Sequence, residues 1–507
     1  MAEPKSLITS AIWNILTVCI TAIAGFILVP IIIKNIGNEN FGIYTIILMI
    51  GGFAELQSLG LGEATLKYVA QYHSKEDIEG VNRVLGATLT VYSVSAIIVS
   101  GLIIGFAPFI VDWFKISPEN LYAATIAMRI AGFAFLLGTF NGALKTIPEA
   151  TQRYDILSKY TLVMMLLRYT AMYFIATLGG GIIGLTYLVL ASSFIDIFVF
   201  SYLAKYLIKG IRCFPSFQKS GIREVFSYGI YSFTNDLIQK ASLYTDQFIL
   251  GIFFSTTAVA HLTAPKDLIS KAQGLTGAFG RALFPRFSSM DEDEHMQNLY
   301  VTSLWILTML SLVIFVPLAI IIPSFLAKWI SPEFAAESSP FAVLFSLGVA
   351  LNGGVTAYTA LLKGTGRIRW LTKIISTLTV LSGIIAALLV YKYGIIGSGI
   401  RIIIFSWVGI TLSIFVGAKV FPSFPTYRVI IQTAIIPILI GCIFFYMGRL
   451  ILEKTMLDSW LEIALSYFIL IGILFLVQLI FNWLFFQKQS IAYILLKHIL
   501  ERLKKIR

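Results

Sequence analysis

Long apolar runs, broken by short charged or Pro/Gly-rich stretches, dominate the chain. A hydrocarbon core of about 30 Å is crossed by roughly 20 apolar residues in helix. Fourteen runs qualify, at approximately 11–33, 42–70, 84–111, 121–144, 157–178, 182–204, 225–252, 256–284, 300–322, 339–362, 370–390, 395–418, 429–450 and 462–486. The pattern predicts an all-α polytopic membrane protein. Beyond the last run, "KQSIAYILLKHILERLKKIR" places Ile491, Ile494, Leu495, Ile499 and Leu500 on one helical face with basic residues opposite. That face predicts a helix lying on the membrane surface.

The runs repeat. "NGALKTIPEATQRYDILSKY" from Asn141 and "NGGVTAYTALLKGTGRIRWLTKI" from Asn352 both open on Asn-Gly, pass a basic residue (Arg153, Arg367) and enter an apolar segment. Gly181-Ile-Ile-Gly184 returns as Gly394-Ile-Ile-Gly397, and the acidic stretch "HSKEDIEG" from His73 returns as "SMDEDEHM" from Ser289. Three markers keep their order at an offset of about 211–217 residues, which points to duplication of a six-helix unit. An even number of helices brings both copies in from the same side, so a pseudo-twofold axis along the membrane normal is expected. The expected layout is an N-terminal lobe at 1–210, a C-terminal lobe at 211–424, two additional transmembrane helices at 425–487 and a basic cytoplasmic tail at 488–507.

Composition agrees. The chain has 507 residues, 58% hydrophobic and 13% charged, against about 25% charged in soluble domains. The net charge of +12 is read as basic cytoplasmic loops rather than a nucleic-acid surface, since no basic and aromatic run stands apart from the spans. About 26 basic residues fall at the termini and in loops after even-numbered runs, against about 6 after odd-numbered ones. Both termini are therefore expected in the cytoplasm of a cell that carries the protein in its cytoplasmic membrane. The first run is expected to act as an uncleaved insertion signal. Cys19, Cys213 and Cys442 form no CxxC, and the four histidines are scattered, so neither a metal nor a disulfide framework is expected. Nucleotide-binding and hydrolase motifs are absent, which predicts no cofactor and no enzyme. Without a nucleotide site, energy must come from an ion gradient or from the substrate's own gradient.

Ionisable residues at membrane depth carry the candidate chemistry, because each costs about 2.5–3.5 kcal/mol at a helix centre unless it faces a cavity or a partner. In the seventh run Ser232, Asn235, Asp236, Gln239, Lys240 and Asp246 recur at steps of three and four. In the eighth, Thr263, Lys266, Asp267, Ser270, Lys271, Gly274, Gly277 and Arg281 do the same. Two polar stripes read as the wall of a water-filled cavity. Internal pairing of Asp236 with Lys240 and of Asp246 with Lys266 stays open, with Lys271 lacking an obvious partner. Elsewhere Arg168 and Asp196 fall at similar depth, which predicts a salt bridge, and Arg401 is expected to reach toward the outer interface. Glu55 and Glu63 lie on one face of the second run. Its glycines, Gly51, Gly52, Gly60 and Gly62, are read as close helix packing.

"IGNENFGIYTIILMIGGFAELQSLGLGEATLKYVAQY" from Ile36, with its Gly turn, Phe-Gly-Ile-Tyr and Leu-Gly-Leu-Gly, resembles the second-helix signature of the polysaccharide transport family. Phe226 to Met290, with Asn235, Asp246, Gly251 and "LFPRFSSM", resembles that family's seventh and eighth helices. The family belongs to the multidrug, oligosaccharidyl-lipid and polysaccharide exporter superfamily. The resemblance implies two lobes around a central cavity, alternating access, and flipping of a polyprenyl-pyrophosphate-linked oligosaccharide to the outer leaflet, alongside membrane lipids and polysaccharide assembly proteins as partners. For such a cargo Lys240, Lys266 and Lys271 would hold the pyrophosphate, while Asn235 and Gln239 would bind sugar. The first run carries no charged residue between Ala11 and Ile33, unlike multidrug exporters and lipid II flippases. Glu55, Glu63 and Asp236 keep open coupling to H+ or Na+, and with it an ion-coupled small-molecule antiporter.

Overall fold

A computed structural model gives the fold. It describes residues 4–54, 61–290, 294–452, 457 and 459–486, with side chains from residue 20 onward except those of 53, 54, 226–239, 241, 242, 275, 278, 281, 282, 485 and 486. The described residues are helical, with no strand among them. Lipid offers no hydrogen-bond partner to a backbone amide, and a helix satisfies its amides internally. The helices are α1 (Pro4–Ile36), α2 (Asn38–Ala54), α3 (Leu61–His73), α4 (Ile78–Gly105), α5 (Ala107–Trp113), α6 (Pro118–Ala150), α7 (Tyr154–Thr177), α8 (Gly181–Leu207) and α9 (Lys219–Phe253). They continue with α10 (Thr256–Ser288), α11 (Glu294–Trp329), α12 (Pro332–Ala350), α13 (Gly353–Gly364), α14 (Ile368–Tyr393), α15 (Ile395–Val420), α16 (Thr426–Val429), α17 (Ile436–Leu452) and α18 (Trp460–Phe486). A π-helical turn, Ile430–Ile435, joins α16 to α17.

Nine helices are long and apolar enough to cross a membrane, or up to eleven if each bent pair counts as one span, among the described residues. The expected fourteen is not reached by this measure. The polar stripes keep α9 and α10 out of the count, and the undescribed residues 55–60 separate α2 from α3. The amphipathic tail at 488–507 lies outside the described residues.

Two compact units divide the chain, Met1–Thr263 and Ala264–Arg507. In the first, α6 packs against α2, α3, α4, α5, α7 and α8, and α9 packs on α2, α3 and α4. Leu61, Val81, Leu85, Tyr92, Ala143, Ile147, Ala204 and Val225 form its buried core. In the second unit α11 is central, packed against α12, α13, α17 and α18. Its core joins Phe287, Tyr300, Leu304, Tyr358, Leu361, Val416 and Phe421.

The repeat is visible in local geometry. At Thr151-Gln152-Arg153, the Arg153 amide donates to the Pro148 carbonyl at 2.8 Å and the Gln152 amide to Glu149 at 3.0 Å. At Thr365-Gly366-Arg367, the Arg367 amide donates to Leu362 at 2.8 Å and the Gly366 amide to Lys363 at 3.2 Å. Both are Schellman closures, in which the residue after the helix turns left-handed. Gln152 has φ 56° and Gly366 has φ 72°. Gly181 and Gly394 also share a φ of 57° at the starts of α8 and α15.

Between α7 and α8 the expected salt bridge is present: Arg168 Nη2 donates to Asp196 Oδ2 at 2.6 Å, and the Tyr160 hydroxyl donates to Asp196 Oδ1 at 2.5 Å. Arg401 Nη1 donates to Ser382 Oγ on α14 at 2.5 Å.

Candidate functional site

The first unit grips α9 at both ends. At the end carrying the basic 205–223 loop, the Tyr72 hydroxyl donates to Glu224 Oε1 at 2.6 Å, and Arg83 Nη2 donates to the Tyr72 hydroxyl at 3.0 Å. Arg83 also lies 3.8 Å from Glu224 Oε2. The hydrogen bond to the Glu224 carboxylate pushes the Tyr72 phenol up from its ordinary value. The loop itself lies on α4, where the Ser216 amide donates to the Gly86 carbonyl at 3.0 Å and the Arg212 amide to Asn82 Oδ1 at 2.7 Å. At the opposite end Lys115 Nζ donates to the Phe253 carbonyl at 2.7 Å, a cation at a helix C-terminus. There Glu39 accepts from the Ser117 amide at 2.6 Å and from Asn120 Nδ2 at 2.9 Å, tying the start of α2 to that of α6.

Between these ends the unit holds a half-open cavity of about 500 Å³. Tyr44, Gly51 and Gly52 of α2, Tyr92 of α4, Phe135, Gly138, Thr139 and Gly142 of α6, Thr186 and Ser193 of α8, and Tyr244 of α9 line it, and among the described residues no lining residue is charged. Hydroxyls of Thr139, Thr186 and Ser193 each donate to the carbonyl four residues back in their own helices. A hydroxyl that donates in this way keeps the capacity to accept. Beside them Asn141 Nδ2 donates to the Ser193 carbonyl at 2.9 Å, and the buried Asn141 Oδ1 has no hydrogen-bond partner.

The residues singled out from the sequence divide between the two units and the undescribed set. Lys240, half-buried, belongs to the first unit, while Lys266, half-buried, and Lys271, exposed, belong to the second. Asn235, Asp236 and Gln239 sit in α9 with side chains outside the described set, and Glu55 lies outside the described residues. Glu63 is exposed in the first turn of α3. Lys271 does have an acidic neighbour: Asp267, one turn back on α10, is within electrostatic reach of both Lys266 and Lys271. Of the described side chains in the first unit, neither Glu63 nor Lys240 lines the 500 Å³ cavity.

The cavity was hidden in the glycines. Gly52 is a packing glycine as expected, since a Cβ there would lie 2.5 Å from the Tyr244 hydroxyl oxygen. Gly51 is not: a Cβ there would meet nothing within 4 Å, and the same holds at Gly138 and Gly142. The last two are one turn apart on α6, a spacing that could have marked the cavity wall in the sequence.

Residues 7–291 match the family model described as polysaccharide biosynthesis protein. A putative O-antigen transporter of Shigella flexneri is 21% identical over 78% of this chain and 94% of its own length. Among solved structures, a lipid II flippase MurJ in an inward closed conformation superimposes with a TM-score of 0.70 at 16% identity, covering 95% of this chain and 99% of that one. An inward-facing multidrug resistance MATE family transporter of the MOP superfamily gives 0.59 at 15% identity, covering 81% and 98%. The fold is thus that of MOP-superfamily transporters. With more than half its length matched by the family model, this multi-pass membrane chain belongs to the polysaccharide biosynthesis protein family.

Proposed function

We propose that the protein flips a polyprenyl-pyrophosphate-linked oligosaccharide from the cytoplasmic to the outer leaflet by alternating access, for surface polysaccharide biosynthesis. The family match over residues 7–291 carries this reading. The relative named as an O-antigen transporter and the likeness in fold to a lipid II flippase support it. In this reading 1–210 and 211–424 act as two lobes related along the membrane normal, with 425–487 as two added helices and 488–507 as a cytoplasmic tail. Lys240, Lys266 and Lys271 hold the pyrophosphate by charge-assisted contacts. Asn235 and Gln239 contact the glycan, and Glu55, Glu63 or Asp236 takes a coupling ion. The protein resides in the cytoplasmic membrane with both termini inside.

Deleting the gene should trap lipid-linked oligosaccharide on the cytoplasmic leaflet and strip the surface polymer, both restored by the intact gene. An unchanged surface glycan with reduced resistance to cationic drugs would favour an ion-coupled antiporter, which the likeness to a MATE transporter motivates weakly. The orientation is tested by cysteine labelling. Cys213 is a poor reporter, because burial pushes its thiol up from the ordinary value. A cysteine at Phe217, 82% exposed in the same loop, should resist impermeant thiol reagents in intact cells and react after permeabilisation.

A further inference from the structure

Gly51, Gly138 and Gly142, all within helices, face empty space inside the first unit. Glycine in a helix interior costs about 0.5–1 kcal/mol relative to alanine. The usual return is close approach of another helix, yet a Cβ at Gly51, Gly138 or Gly142 would meet nothing within 4 Å. All three line the same cavity of about 500 Å³, inside the range of about 300–1,000 Å³ usual for small-molecule sites. What the three glycines preserve is volume.

A second feature lies behind the wall, on a residue that does not itself line the cavity. Asn141, between lining residues Thr139 and Gly142, is only 8% exposed, and its Oδ1 has no hydrogen-bond partner. A buried acceptor left without a donor costs about 1–3 kcal/mol.

The chemistry of the lining narrows the ligand. Among the described residues no charged side chain lines the cavity, so these residues offer no counter-charge to a pyrophosphate or to a drug cation. Hydroxyls of Tyr44, Thr139, Thr186 and Ser193 would be wasted on a polyprenyl tail. Rings of Tyr44, Tyr92, Phe135 and Tyr244 supply flat apolar faces beside those oxygens, the combination that suits the C–H faces and hydroxyls of a sugar. We infer that the cavity of the first unit is a binding site for uncharged sugar residues, separate from the lysines that would hold the pyrophosphate. The inference rests on the flippase reading for the origin of the sugar, and it adds to the α9 contacts a wall built by α2, α4, α6, α8 and Tyr244 of α9.

The test uses the full chain in lipid nanodiscs. Its probes are the glycan released by mild acid from the lipid-linked pool of gene-deleted cells, and polyprenyl pyrophosphate without glycan. Wild type should bind both saturably. Gly138→Leu and Gly142→Leu, which fill the cavity without meeting a neighbour's main chain at Cβ, should lose about tenfold or more in glycan affinity. Their affinity for polyprenyl pyrophosphate should stay within about twofold. Gly138→Ala and Gly142→Ala, which favour the helix, guard against misfolding and should show a smaller loss in the same direction. Unchanged glycan affinity in all four variants overturns the inference, as does loss of polyprenyl pyrophosphate binding instead, which would make the cavity a tail site. A wild type that binds polyprenyl pyrophosphate but no glycan overturns it while leaving the flippase reading intact. A deletion strain with normal surface polymer removes that reading first.

Discussion

Asn141-Gly142 and Asn352-Gly353 are the same pattern in two units, and they end in opposite settings. At Gly142 a Cβ would meet nothing within 4 Å. At Gly353 it would strike the main chain of Leu307 and Thr308 on α11, and at the next residue, Gly354, it would lie 2.8 Å from Ser413 Oγ. The helix around Asn141 runs unbroken through α6, whereas α12 and α13 break at Asn352 with a bend of 44°. One copy keeps its glycine to leave room, the other to let helices touch. A duplicated sequence therefore fixes where small residues stand without fixing what the missing side chains are for.

The sharpest way to break this comparison is one substitution made twice. Gly353→Leu should abolish recovery of folded protein, because main chain cannot yield as a side-chain tip can. Gly142→Leu should fold with a thermal midpoint near wild type. Equal behaviour of the two in size-exclusion and thermal unfolding would erase the distinction. Next comes the α7–α8 hairpin against α14–α15. Asp196→Ala removes the acceptor of both Arg168 and Tyr160 and should cost about 1–3 kcal/mol. Ser382→Ala removes one hydroxyl from Arg401 and should cost less, about 0.5–1.5 kcal/mol.

The Schellman turns give a smaller contrast. Gly366→Ala should destabilise by about 1 kcal/mol, since a residue with a Cβ pays to stand at positive φ. Gln152→Gly, at a φ of 56°, should be neutral or gain a few tenths of a kcal/mol. The smallest effect concerns pH. The Tyr72 phenol donates to Glu224 and is raised above its ordinary value, so what this bond contributes is fully present below about pH 10 and is lost as pH rises through the raised value. The stability difference between wild type and Tyr72→Phe should therefore stay flat from pH 6 to 8. A slope across that range would mean that another group governs the α3–α9 contact.

Helix placement was legible because lipid leaves the backbone few choices. The runs expected at 182–204 and 395–418 became Gly181–Leu207 and Ile395–Val420. The Arg168–Asp196 pair was legible too, since two opposite charges at one depth on adjacent helices have a strong reason to meet. The cavity was not, because sequence reading looks for side chains and this wall is made by leaving them out. Charged stripes on α9 and α10 drew attention for the sound reason that charge in a membrane is costly. Yet Asp267 beside Lys266 and Lys271 shows that neighbours on the same helix can offset part of that cost.

The most apolar stretch of α11 is 78% buried, whereas that of α7 is 11% buried. During synthesis α11 leaves the insertion machinery long before α17 and α18, the helices that cover part of its surface. Its Leu312, Val316 and Ile320 pack where Gly441 and Gly448 of α17 leave space, and the Ile314 carbonyl accepts from the Tyr467 hydroxyl of α18 at 3.2 Å. Until those arrive, lipid must stand in for protein along that surface. α17 and α18 thus cover part of the second unit's central helix, so that packing waits until both have entered the bilayer.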